Sequence, residues 1–182
     1  MSKKYKFRNP TGMYFITYTV QNWIDLFIRN EYKDILIESW NHCRNNKGLN
    51  IHAWTIMTSH AHMIISAQYG NPQNIIRDMK KWTSLQLHHA IITNERESRK
   101  EWLLQLLKKN NNNEFSLWQE GSHPIELTSS SMIRQKLQYI HNNPVEAGIV
   151  DLAEYYKYSS AKDYYFGVQG LIKLDLIESI LL

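Results

Sequence analysis

The chain has a single cysteine, Cys43, among 182 residues. A disulfide within the chain is therefore excluded, as is a zinc site built from several thiolates. Glycine and proline are scarce, at 7 and 4 copies, which argues against long flexible linkers. No stretch is long and apolar enough to cross a bilayer. The first eight residues are basic, but no apolar core with a cleavage site follows them, so a secretory leader is not expected. These absences predict a cytoplasmic protein. The length predicts one domain over residues 1–182, with a basic N-terminal arm and a short C-terminal tail.

What is present points further. A hydrophobic content of 43% supplies one well-buried core. Aromatics reach 12%, with 6 Trp and 11 Tyr, which suits a dense core or a surface that stacks on rings or bases. The net charge of +4 is modest, but its distribution is uneven. Lys3, Lys4, Lys6 and Arg8 form the basic arm, and Arg77, Lys80 and Lys81 cluster beside Trp82. Such clusters attract phosphates, although a plain solvated face carries the same charges. Trp118 has two readings as well, a ring stacked on an unpaired base or a core residue.

Residues 13–20 (MYFITYTV) read as a strand. Asn30 is placed to cap a helix with Tyr32, Ile35, Leu36, Trp40 and Cys43 on its apolar face, ended by Gly48. Residues 51–57 and 61–67 follow as two strands joined around Thr58 and Ser59. Asn71-Pro72 opens a second helix with Ile75, Met79 and Trp82 as its buried stripe. A short helix is expected over residues 102–107, a loop over Asn110 to Asn113, and a fourth strand over residues 115–118. A serine among residues 129–131 caps a last helix to about Asn143, with Ile133, Leu137 and Ile140 facing the core. This β-α-β-β-α-β order, with a further helix, predicts an α+β, ferredoxin-like antiparallel sheet. Helices cover one face of it and the other face is free.

Two elements carry chemistry. His60 and His62 stand two apart on a strand and share one face, where both imidazoles can reach one ion, while Ala61, Met63 and Ile65 point into the core. Two histidines alone more often describe an ordinary surface pair. Tyr139 and Asn143 stand four apart near a helix end, hence on one helical face. By themselves they more often describe a ring at the core rim and a C-terminal cap. Joined, the elements complement each other. The Asn143 carbonyl can add an oxygen ligand to the histidines. A phenol, with a pKa of about 10, needs a metal-polarised phosphate to attack at neutral pH.

Residues 54–65 (WTIMTSHAHMII) resemble the metal-binding signature of single-tyrosine HUH transposases. Residues 139–150 (YIHNNPVEAGIV) resemble their catalytic-helix signature, in particular that of the REP-associated tyrosine transposases. Residues 115–121 (FSLWQEG) and 123–127 (HPIEL) continue the similarity, which runs from the strand at residues 13–20 to residues 158–163 (YSSAKD). The resemblance implies His60, His62 and Asn143 as ligands of magnesium or manganese, and Tyr139 as the nucleophile. It implies cleavage and rejoining of single-stranded, hairpin-bearing DNA through a 5′-phosphotyrosine, and hence a nucleoid-associated place in the cytoplasm. On that reading Arg77, Lys80, Lys81 and Trp118 are the DNA-contacting residues. The chain departs from the signature at Ser59, where the family commonly has Asn, and at Ala61, where it often has a bulkier residue. Two alternatives stay open: a replication-initiator or relaxase-like nickase with the same chemistry, and an inactive DNA- or RNA-binding module on the same fold. Monomer and homodimer are equally compatible with the sequence.

Overall fold

The computed structural model describes residues 6–108 and 115–177. Lys3 and Lys4 of the basic arm, and the Asn110 to Asn113 run, lie outside the described residues. The aromatic and β-branched run at the start forms β1 (Tyr14–Thr19), and alternation sends Tyr14, Ile16 and Tyr18 to one face and Phe15 and Thr17 to the other. Helix α1 (Asn30–Lys47) leads to β2 (Leu49–Ile56) through Gly48, whose φ of 68° supplies the left-handed cap. β3 (His60–Ala67) returns antiparallel, α2 (Pro72–Thr93) crosses back, and α3 (Lys100–Leu106) follows. β4 (Ile125–Glu126), α4 (Ser130–Glu146) and α5 (Ala161–Phe166) complete the chain.

The sheet order is β2-β3-β1-β4, and its neighbouring strands run antiparallel. This is the expected ferredoxin-like α+β arrangement. The main core lies between one sheet face and helices α1 and α2, where Trp40, Trp54, Met63, Ile75 and Met79 pack together. Both helices follow an i, i+3/i+4 apolar stripe, which is why they settle there.

Four details differ from the sequence-based expectation. The opposite sheet face is not free, because α4 covers part of it. Leu137 and Ile140 pack there on Phe15, Ala53 and Ile64 in a second, smaller core. The fourth strand is Ile125–Glu126, whereas residues 115–118 form no strand and pair only as isolated bridges, Phe115 with Lys108 and Trp118 with Val20. Helix α1 begins at Asn30 rather than after it, with Arg29 in the cap position and no side-chain cap. Helix α4 continues through Pro144 to Glu146. Burial of Pro144 holds the last turn together, with Ala147 N–H bonded to Asn143 O at 3.0 Å.

The chain beyond α4 folds back along the edge of β2. Ile56 N–H donates to Tyr158 O and Ser160 N–H donates to Trp54 O, each at 2.9 Å. Ser160 Oγ accepts from Trp54 N–H at 2.9 Å and lies 2.9 Å from Nε2 of the buried His141. That link fastens α4 over the sheet and so fixes where Tyr139 stands. No helix among the described residues is long and apolar enough to cross a membrane.

Candidate active site

β1 and β3 carry the floor of the site. Their register pairs Thr17 with His62 and Thr19 with His60, on the sheet face that α4 covers. Thr17 Oγ1 lies 2.9 Å from His62 Nδ1, and Ser59 Oγ lies 3.2 Å from His60 Nδ1. Each ring thus has a hydroxyl at Nδ1, which leaves Nε2 of both histidines for other work. The Ser59 loop is itself held, since Val20 N–H donates to Ser59 O at 2.9 Å and Phe27 N–H to Thr58 O at 2.8 Å. The serine that departs from the family signature therefore supports His60 directly.

Tyr139 comes down from α4 onto this floor. Its hydroxyl is 3.4 Å from His62 Nε2 and its ring is 5.1 Å from the His62 ring, while the two histidine rings are 4.8 Å apart. Phe15 packs under the pair, stacked on His62 at 5.4 Å and edge-on to Tyr139 at 5.9 Å. The tyrosine remains 41% exposed, so a substrate can reach its oxygen. Asn143 sits one helical turn further along the same face of α4, and its side chain makes no hydrogen bond to the described residues.

The electrostatics favour neutral imidazoles. Burial, with help from nearby His60 and Lys136, pushes the pKa of His62 down to about 3. Burial lowers that of His60 as well, against an opposing pull from Asp25. A histidine that resists protonation this strongly is a poor general base at neutral pH, but its free lone pair suits a metal ion. No cluster of three or more His, Cys, Asp or Glu side chains forms among the described residues. The donor set fits a divalent ion that takes two imidazoles and completes its shell with oxygens from Asn143, water or a phosphate.

Three residues at this site went unnoticed in the sequence. Lys136 Nζ lies over the Phe15 ring at 4.6 Å and the Tyr139 ring at 5.3 Å, putting a positive charge beside the phenol. Its position three residues before Tyr139 on a helix was a usable signal. Thr17 could be linked to His62 only once the strand register was known. Trp23, whose ring stands 5.5 Å from His60, belongs to a turn with no periodicity to mark it.

No protein-family model and no curated protein matches the chain. Among solved structures, a REP-associated tyrosine transposase bound to a REP hairpin overlays with a TM-score of 0.68. It covers 97% of this chain and 94% of its own, at 18% identity. The chain has the fold of that transposase. A candidate transposase from Deinococcus radiodurans R1 aligns over 79% of this chain and 95% of its own at 20% identity, but its TM-score of 0.37 is too low to bear on the fold.

This fold brings His60, His62 and Tyr139 together, and it separates them from the other residues expected to touch DNA. Helix α2 lies across the sheet from α4, so Arg77, Lys80 and Lys81 are on the far side from Tyr139. Arg77 and Lys81 are exposed, with Arg77 paired to Asp78 at 3.1 Å. Lys80 is not a free surface cation. Its Nζ donates to Gln119 O at 2.8 Å and Gly121 O at 3.0 Å, and burial lowers its pKa to about 8. Trp118 is a core residue, packed on Phe27 and Tyr18, with Nε1–H donating to Thr83 Oγ1 at 3.0 Å. A base cannot stack on a ring enclosed in this way. Trp82, expected in the buried stripe of α2, is exposed, and Ile76, Thr83, Leu87 and Ile91 take its place.

Proposed function

We infer that the protein is a transposase-type DNA nuclease and strand transferase, with Tyr139 as its nucleophile. The observation that carries this reading is the 3.4 Å approach of the Tyr139 hydroxyl to Nε2 of a neutral, hydroxyl-anchored His62, with His60 alongside. A phenol that only filled the core rim would not need to end at the open nitrogen of a histidine pair. The fold shared with a hairpin-bound transposase supports single-stranded or hairpin DNA as the substrate class.

His60, His62 and Asn143 would hold magnesium or manganese. Bound there, the ion would polarise the scissile phosphate and stabilise charge that develops on it. The chain's own residues do the rest. Tyr139 Oη forms a bond to phosphorus as the P–O3′ bond breaks, and the electron pair leaves on O3′, which takes a proton from solvent. The Tyr139 hydroxyl proton passes to solvent, and Lys136 stabilises the phenolate as it does so. The 5′-phosphotyrosine conserves the bond energy, so attack by a 3′-hydroxyl reverses the step and rejoins a strand. Arg77 and Lys81, remote from the reacting atoms, would hold phosphates of a bound hairpin away from the cut.

The test is incubation of wild-type and Tyr139→Phe protein with labelled single-stranded hairpin DNA and manganese. A denaturant-resistant protein–DNA adduct is expected with wild type alone. No adduct across varied hairpins, or an equal yield with phenylalanine, removes the reading.

A further inference from the structure

Trp23 is 59% exposed although it is among the largest apolar side chains in the chain. Rings of that size are usually drawn largely into a core, so a solvent-facing tryptophan beside a reactive site asks for a reason. The backbone beneath it is also unusual. Asn22 and Trp23 have φ values of 56° and 55°, two successive non-glycine residues in the left-handed region. Such strain persists only where the surroundings impose it, and it collects at functional sites.

The surroundings here do impose it. Gln21 N–H donates to Leu117 O at 2.8 Å, and Gln21 Nε2 donates to Trp118 O at 3.1 Å. Trp23 N–H donates to Val20 O at 3.1 Å, and Asn22 Nδ2 donates to Leu106 O at 3.1 Å. The turn is fastened up to the ring and keeps it out of the core.

The direction of the ring row matters more. Trp23, His60, His62 and Tyr139 follow one another at centroid separations of 5.5, 4.8 and 5.1 Å. The histidines set the line along β3. Phe15, which pairs with Ile64 in the register, touches His62 and Tyr139 and so marks the end opposite Trp23. In an in-line displacement the attacking and leaving oxygens lie on opposite sides of phosphorus. With the phosphate held over the two histidines, an attack by Tyr139 would send the leaving 3′-oxygen, and its nucleotide, toward the Trp23 end.

We propose that Trp23 is the stacking platform for the base on the 5′ side of the scissile phosphate, the nucleotide that departs with the 3′-hydroxyl. The proposal rests on the tyrosine-nuclease reading for its direction, while its stacking contact stands by itself. Every base has a π face, so the platform tolerates sequence, and it keeps the departing 3′-hydroxyl close enough for rejoining.

Two measurements test it. The first compares binding of an oligothymidylate with that of an abasic oligonucleotide of equal length, in Tyr139→Phe protein so that no cutting intervenes. Trp23→Gly removes the ring and accepts the left-handed backbone, and a thermal melt near that of the parent shows that the fold is kept. The base-bearing strand is expected to bind about tenfold more tightly than the abasic one. The glycine variant should lose that preference and Trp23→Phe should keep most of it. An undiminished preference in the glycine variant overturns the platform.

The second measurement uses cleavage-competent protein and a hairpin with an abasic site on either side of the mapped cut. The 5′-side lesion should slow wild type but leave Trp23→Gly unchanged, and the 3′-side lesion should slow both alike. The opposite pattern overturns the assigned direction. If wild type cuts nothing, the nuclease reading and the direction fall together, and the binding comparison still decides the platform.

Discussion

Thr17 Oγ1 lies 2.9 Å from Nδ1 of His62, and this contact decides which ring nitrogen faces Tyr139. When the hydroxyl accepts from Nδ1–H, the lone pair on Nε2 points into the site. Thr17→Val keeps the shape and removes the partner. Metal-dependent cleavage should fall roughly 10–100-fold and need more manganese for half-activation, as is usual when the group orienting a metal-bound histidine is lost. Thr17→Ser should restore most of the activity. A valine variant with wild-type metal dependence would show that the hydroxyl orients nothing.

His60→Ala and His62→Ala should each abolish cleavage, and excess chelator should do the same to wild type until manganese is restored. The fold should survive His60→Ala best, because His60 is the less buried of the two rings. Full cleavage in chelator, with the histidines intact, would remove the metal from the account.

Lys136 stands over the nucleophile's ring at 5.3 Å. Lys136→Met should lower kcat about 100-fold, the scale of one lost electrostatic stabiliser, with Lys136→Arg retaining part of it. Stability should drop by less than about 1 kcal/mol, since the cation–ring contacts are partly exposed. Single-turnover cleavage and a denaturation curve separate the two effects. Unchanged kcat in the methionine variant would leave Lys136 as packing alone.

His141 links α4 to Ser160, and burial pushes its pKa down to about 4 from an ordinary 6.5. The unfolded chain then takes up a proton before the folded one does. The contribution is fully present above about pH 6.5 and is lost as pH falls through about 4, to a total of roughly 3 kcal/mol. Urea unfolding at several pH values should show His141→Gln to be less acid-sensitive than wild type across that window. Equal acid sensitivity would mean that other groups carry it.

Much of the fold was legible because its signals are periodic. The alternation in β1, the paired strands around Thr58 and Ser59, and the i, i+3/i+4 stripes of α1 and α2 each follow from residues close in sequence. The errors came where tertiary packing decides. Residues 115–118 have strand-like composition, yet Leu117 and Trp118 serve the core while the true edge strand is a two-residue stub. Trp118 carried two readings, stacking ring or core residue, and its burial beside Thr83, which decides for the core, follows only from where α2 lands. Lys80 looked like its exposed neighbours until the carbonyls of Gln119 and Gly121 were seen to surround it. At the site, His60, His62, Tyr139 and Asn143 stood out as spaced pairs, and the resemblance supplied their expected roles. Thr17, Lys136 and Trp23 act through strand register, helix docking and a strained turn, none of which a local pattern records.

The central claim is that Tyr139 Oη becomes bonded to the 5′-phosphate of the downstream fragment of a cut strand. The direct measurement is to trap the adduct with manganese and a hairpin labelled separately at each end, digest it, and identify the modified peptide by mass spectrometry. The account predicts phosphotyrosine at residue 139, with the 3′-end label retained on protein and the 5′-end label released on a strand bearing a free 3′-hydroxyl. A different modified residue, retention of the 5′-end label, or strand cutting without any covalent intermediate would contradict it.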